Sequence, residues 1–267
     1  MRCSVFFSVL ATACAPLRAG SVGVQMPTYT AGQLVNSADY VAGALAPNTI
    51  AALFGTNLSY NTAALAKAEI RGSTMPVELP NTGVHVYVGG MMATIYYVSP
   101  TQINFLVPAE IPPSATTFQV VRDGAAGPRL PVNIVPVAPA FYLLDSVRVV
   151  AELLDGSVIT TGNPAHPGDI VILYATGLGQ TMPPLRNGEV PQTAKRIADQ
   201  ADLKILLNGK AVDAGNILYA GTAPMFSGLY QINLRLPSPL GTDPEIRIGM
   251  ADQMSPTGIK LVVRPAQ

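Results

Sequence analysis

Apolar and polar residues alternate with a period of two along several short stretches of the chain. Val84, Val86 and Val88 alternate with His85 and Tyr87 and run into Gly89-Gly90, the pattern of a half-buried strand entering a tight hairpin. Leu203, Ile205 and Leu207 do the same up to Asn208-Gly209, a pair whose members both tolerate positive φ. A further strand follows each hairpin. In the first, Ile103, Phe105 and Val107 share one face and Gln102 and Asn104 the other; in the second, Ile232, Leu234 and Leu236 oppose Gln231 and Asn233. Later strands are predicted at 118–121 and 246–248, and last strands at 132–135 and 260–263. Only residues 63–70 (AALAKAEI) suggest a helix, and they lie in a connection.

These pairs belong to a duplication. Residues 47–58 (PNTIAALFGTNL) match 167–178 (PGDIVILYATGL) at an offset of 120, and the Gln-Ile-Asn strands match at an offset of 129. The second copy therefore carries extra residues, which belong in loops rather than strands. Short strands punctuated by glycine and proline predict an all-β chain of two tandem immunoglobulin-like β-sandwich modules, at 35–137 and 166–267. Residues 22–34 are polar without a period and are expected to be a loose lead. Residues 138–165 are expected to join the modules through a hairpin over 147–159, turned at Asp155-Gly156. That joining segment is too apolar for a floppy tether, so the modules should hold a fixed relation.

Composition narrows the functional classes. The 267 residues are 49% hydrophobic and only 12% charged, with a formal net charge of zero and no run of Lys or Arg. A phosphate-binding surface, and with it nucleic acid as a partner, has no visible basis. Residues 1–21 read as a cleaved signal peptide, with Arg2 before the apolar stretch 4–15 and the small residues Ala19-Gly20-Ser21 at the cleavage site. Both cysteines, Cys3 and Cys14, fall inside it, so the mature chain would fold without a disulfide. Ala11-Thr12-Ala13-Cys14 loosely resembles a lipobox, which offers a lipid anchor at Cys14 as the alternative. No later stretch is long enough to be a transmembrane segment. An extracellular or cell-envelope location is expected.

The chain resembles the two-module, TIG/IPT-like C-terminal domain of secreted proteins of soil acidobacteria. The matching residues include Asn36-Ser37-Ala38, Phe54-Gly55-Thr56-Asn57-Leu58, Tyr97-Val98-Ser99-Pro100-Thr101-Gln102-Ile103-Asn104, Asn163-Pro164-Ala165, Leu173-Tyr174-Ala175-Thr176-Gly177-Leu178-Gly179 and Gly228-Leu229-Tyr230-Gln231-Ile232-Asn233. Two departures are Asn48, where the family has Gly after Ala-Pro, and a shortened stretch at 79–83. The resemblance covers nearly the whole mature chain and implies tandem Ig-like modules; it transfers no catalytic residues.

Candidate chemistry is sparse. His85 sits at an outward strand position, and His166 precedes the turn Pro167-Gly168-Asp169 without a nucleophile elbow to complete a triad. No metal-ligand spacing is present, so neither a metal nor a cofactor is expected. Glu110, Glu152 and Glu189 are scattered, and nothing selects a glycosidase pair among them. Met91-Met92 reads as core filler. The duplicated polar feature is the amide set Gln102, Asn104, Gln231 and Asn233, which either bonds sugar hydroxyls or ties down neighbouring backbone. Among aromatics near loops (Tyr60, Tyr96, Tyr97, Phe226, Tyr230), Tyr97 and Tyr230 join the four amides as candidate ligand contacts. The expected role is a non-enzymatic binding or structural protein that contacts protein or polysaccharide at the cell surface. The alternatives are a hydrolase with its site at the module junction and an accessory domain that positions a separate enzyme.

Overall fold

The computed structural model describes residues 25–265, and the expected signal peptide, with Cys3 and Cys14, lies outside them. The chain is all-β and forms two antiparallel sandwiches in tandem. In the first, Leu34–Asn36, Ile50–Phe54, Gln102–Leu106 and the end of Met91–Val98 make one layer. The start of Met91–Val98, Val84–Val88 and Ser114–Arg122 make the other. Met91–Val98 passes from layer to layer through a bulge between Ile95 and Tyr97, and bulges are the usual device for such a bend. Leu53, Val86, Ile95, Ile103, Phe105 and Phe118 fill the space between the layers and are fully buried. Val84–Val88 and Gln102–Leu106 thus turn their apolar alternate positions inward, as their period predicts, whereas Ala51, Ala52 and Leu53 are buried in succession.

The second sandwich repeats the plan. Ile170–Thr176, Tyr230–Arg235 and Ile217–Thr222 form one layer, and Leu203–Leu207 with Ile246–Met250 form the core of the other. The crossing strand is here broken into Lys210–Ala211 and Ile217–Thr222 by the 3₁₀ turn Ala214–Asn216. In both sandwiches the entering and leaving segments meet in parallel, Leu45 beside Ile134 and Ala165 beside Val263.

The duplication extends further than its sequence signal. Thr28 bridges Thr56 as Ala140 bridges Thr176, and Leu34–Asn36 pairs with Ile50–Phe54 as Ala151–Leu153 pairs with Ile170–Thr176. Val35 bridges Ala42 around a turn at Asp39, and Glu152 bridges Val158 around the corresponding turn at Asp155. In each turn the Asp carboxylate accepts a backbone N–H two residues on, which fixes the bend locally. The lead is therefore not loose, and residues 138–165 are not a joint. Both are the opening strands of their own modules, and the modules abut at Val137-Ala138. The expected hairpin at 155–156 is present and completes the second sandwich.

Two devices fix the lead. Tyr29 is buried, with its ring edge-on to Phe118; its hydroxyl donates to the Pro128 carbonyl at 2.8 Å and accepts the Val120 N–H at 2.7 Å. Arg122 is 1% exposed, donates to the Gln25 and Asn57 carbonyls and to Tyr60 Oη at 2.9 Å, and lies 3.8 Å over the Tyr60 ring. A buried guanidinium is tolerated only with such partners. The helix suggested at 63–70 is also absent. Ala63–Ala64 pairs with Val98 and Tyr97, and only Lys67–Glu69 turns, as a 3₁₀ helix. Edge pairing outweighs the weak local preference of alanine for helix.

A fragment beginning at Ala138 should show the chemical-shift dispersion of a folded sandwich, whereas one beginning at His166 lacks two strands and should stay unfolded. Arg122→Ala leaves a cavity where the buried guanidinium sat and removes its bonds to Gln25, Asn57 and Tyr60, so it should lower stability by about 3 kcal/mol, read as a fall in the urea midpoint. An unchanged midpoint would show that the lead is not held through this side chain.

Candidate functional site

The duplicated amides make the same bond in both modules. Gln102 Nε2 donates to Asn104 Oδ1 at 2.8 Å, and Gln231 Nε2 donates to Asn233 Oδ1 at the same distance. Each pair runs along its own strand on the outer face, and neither ties down a neighbouring loop. Asn104 stands opposite Tyr97, and Asn233 opposite Tyr219. The mutual bond uses one donor and one acceptor of each pair and leaves an acceptor on Gln231 and donors on Asn104 for another partner.

Tyr230 must be withdrawn as a ligand contact. It is fully buried, and its hydroxyl donates to the Gly179 carbonyl. The alternation that puts Gln231 and Asn233 outward puts Tyr230 inward with Ile232. Burial holds its phenol well above the ordinary tyrosine range.

A hollow on the amide face belongs to the second module. It has a volume of about 580 Å³ and is lined by Tyr142, Val150, Tyr174, Phe226 and Leu229, with Glu152 and Gln231 as its polar groups. Register explains the assembly. Tyr142 follows the pair Phe141/Ala175, and Tyr174 is directly opposite Gln231, so the three side chains form one cross-strand row about 5 Å apart. Glu152 stands opposite Ile172 on the same face and accepts the Tyr174 hydroxyl at 2.9 Å. Phe226 hangs over this row and is 57% exposed.

Much of this lining comes from segments that the first module lacks. The short connection 99–101 of the first module is replaced by the longer 223–229, which supplies Phe226 and Leu229. The 3₁₀ turn Ala31–Gln33 is replaced by a hairpin in which Leu143 bridges Val149, and which Tyr142 and Val150 flank. Phe226 was within reach of the sequence as an aromatic in a loop. Tyr142, Tyr174 and Glu152 were not singled out as ligand contacts, because their convergence depends on register across strands distant in sequence.

A second hollow of about 320 Å³ lies across the module boundary and is lined by Ser37, Tyr40, Ile50, Tyr96, Asn104 and Tyr142. Tyr96 is the bulged residue of its strand and donates to the Ser227 carbonyl at 2.5 Å. Tyr142 Oη lies 3.3 Å from Ser37 Oγ. Burial pushes the Tyr142 phenol up to about 12, and burial followed by the Glu152 carboxylate pushes Tyr174 up to about 12.

The other candidate residues have structural partners. His85 lies 3.2 Å from Glu78 on a half-exposed strand face. His166 is half exposed at the start of the turn, where its N–H is accepted by Asp169, at the opposite end of its strand from the module boundary. Glu110 accepts the Asn187 N–H, Glu189 pairs with Lys195 at 2.6 Å, and that lysine holds its carboxyl below the usual range. Met91 packs on the core, whereas Met92 is exposed and fills nothing. Among the described residues no group of three or more His, Cys, Asp or Glu could hold a metal ion, and no helix is long and apolar enough to cross a membrane.

No family model matches the chain, and no curated protein matches it. Similar solved structures include the surface glycan-binding protein PbSGBP-B of Prevotella bryantii, at 13% identity over 88% of this chain and 41% of that one, TM-score 0.27. They also include the SGBP-B of a Bacteroides ovatus mixed-linkage glucan utilization locus in complex with a mixed-linkage heptasaccharide, at 12% identity over 92% of this chain and 47% of that one, TM-score 0.36. The I9–I11 tandem of titin matches at 10% identity over 91% of this chain and 67% of that one, TM-score 0.25. The chain thus spans less than half the length of the two glycan-binding chains, and likenesses of this degree say nothing about the site.

The raised phenols predict an alkaline limit. A tyrosine whose folded value exceeds its unfolded value of 10.0 leaves stability intact below that pH and removes it as pH rises through the folded value. The urea midpoint should therefore fall between about pH 10 and 12, and Tyr142→Phe, which cannot ionise, should fall less steeply. Parallel curves for the two proteins would refute the assignment.

Proposed function

We propose that the chain is a secreted, non-enzymatic binding protein that takes a neutral polysaccharide on the outer face of its second sandwich. The observation that carries this reading is the open hollow in which the rings of Tyr142, Tyr174 and Phe226 converge with Gln231 and Glu152. Sugars present an apolar face of C–H bonds and a rim of hydroxyls. Aromatic side chains offer the matching flat surface, and an amide with a carboxylate offers acceptors for the rim. No Lys or Arg lines the hollow, so an acidic glycan would meet Glu152 without a compensating cation. A glycosidase needs two carboxyl groups flanking the scissile bond, and among the described residues Glu152 is the one carboxylate in the lining.

The resemblance to the acidobacterial TIG/IPT-like domain supports the same reading, since that domain occurs on secreted proteins. Export through the signal peptide would bring the hollow to the cell surface or the surrounding matrix, where polysaccharide is available as a partner.

The test is affinity electrophoresis of the secreted chain in gels containing cellulose derivatives, xylan, mannan or mixed-linkage glucan. Retardation by at least one neutral polymer is expected. Phe226→Ala, at an exposed loop position, should weaken it about tenfold, or about 1.4 kcal/mol, with the melting temperature unchanged. Unretarded migration in every gel would sink the polysaccharide reading and favour a protein partner.

A further inference from the structure

The two hollows share a wall. Tyr142 lines both, the larger one toward Tyr174 and Gln231 and the smaller one toward Ser37, Tyr96 and Asn104. Resting on the polysaccharide reading above, we infer that they are successive subsites of one track across the module boundary, and that the preferred occupant is a linear neutral glycan long enough to fill both.

Three observations support the track. The boundary is bonded at its centre: Thr176 Oγ accepts the Ile50 N–H at 3.2 Å and donates to the Gly228 carbonyl at 2.8 Å, so the second module's central strand ends where the first module's begins. The amide faces of the two sheets thus follow one another, with Tyr142 between them. The polar groups of the smaller hollow also complement those of the larger. Asn104 has spent its Oδ1 on Gln102 and presents its amide N–H groups, beside the hydroxyls of Ser37 and Tyr40, whereas Gln231 and Glu152 present acceptors. Sugar hydroxyls both donate and accept, so a chain laid across the two meets both kinds of partner. The smaller hollow also has its own ring surface. Tyr40 is 61% exposed, and its ring lies 6.2 Å from that of Phe54.

Tyr40 occupies left-handed backbone at φ 59°, a conformation that most side chains disfavour and that asparagine accepts. A large exposed ring at a strained turn position is costly to keep for folding alone. Within the track it gains a purpose as the outer stacking surface of the first-module subsite.

Isothermal titration with cello-, xylo- and manno-oligosaccharides of two to six units tests the inference. In at least one series, affinity should rise tenfold or more between the trisaccharide and the hexasaccharide. Tyr40→Asn, which suits the backbone, and Asn104→Ala should each weaken the hexasaccharide about tenfold and leave the trisaccharide unchanged. Phe226→Ala should weaken both. Affinity that levels off at three units and responds to Phe226→Ala, but not to Tyr40→Asn or Asn104→Ala, would overturn the track and leave the single hollow standing. Heat on titrating none of the sugars, or binding indifferent to Phe226→Ala, would overturn the polysaccharide reading and the track with it.

Discussion

One buried hydroxyl holds the molecule's geometry together. Thr176 Oγ joins the last residue of the second module's central strand to the first residue of the corresponding strand in module one, and also to the loop carrying Gly228. Around it the packing leaves no slack. A Cβ on Gly228 would come within 2.4 Å of Leu106 and 2.8 Å of the Asn48 carbonyl, and one on Gly177 within 2.0 Å of the Ala138 carbonyl, both at positive φ. Only glycine allows backbone to approach backbone this closely. The Met75 N–H donates to the Gly188 carbonyl and the Val190 N–H to that of Ser73, extending the seam sideways. The two sandwiches thus abut without spare residues and share main-chain bonds where the proposed track crosses their boundary.

The duplication and the site obey different rules. What is repeated maintains the fold: the inward alternation, the Asp-anchored turns, the parallel closure of each sandwich and the Gln–Asn bond on each outer face. What lines the larger hollow is mostly unrepeated, namely the 143–149 hairpin with its flanking Tyr142 and Val150, and the 223–229 loop with Phe226 and Leu229. Loops projecting from a rigid scaffold are free to vary because no core depends on them, and here two of them converge over one sheet.

The sequence was most legible where period and turn chemistry agreed, as in Val84–Val88 before Gly89-Gly90 and Leu203–Leu207 before Asn208-Gly209. It was least legible where a segment is held by a few contacts rather than by a periodic face. Residues 25–33 read as loose because their attachment rests on Tyr29, one bridge at Thr28 and a guanidinium from residue 122, none of which leaves a local pattern. Alanine-rich 63–70 read as helical because propensity is local, while its pairing with Val98 is not. Tyr230 was misjudged despite a clear signal, since the alternation already applied to Gln231 and Asn233 turns it inward. Part of the larger hollow left a faint trace in the drift of the repeat from 120 to 129, since the connection 223–229 is four residues longer than 99–101. The 143–149 hairpin precedes the matched openings and left no trace in the offset, and the turn Ala214–Asn216 accounts for extra residues away from the hollow.

The parallel closure of each sandwich bears on how the molecule carries load. Leu45 exchanges bonds with Asn133 and Val135, and Ala165 with Val262 and Arg264, so in each module the segment before the central strand lies beside the closing segment and points the same way. Tension drawn along the chain would first reach the antiparallel pairs upstream, Thr28 with Thr56 and Ala140–Phe141 with Thr176 and Ala175. Only once those had opened would it meet the parallel closure, whose bonds are strained together rather than one at a time.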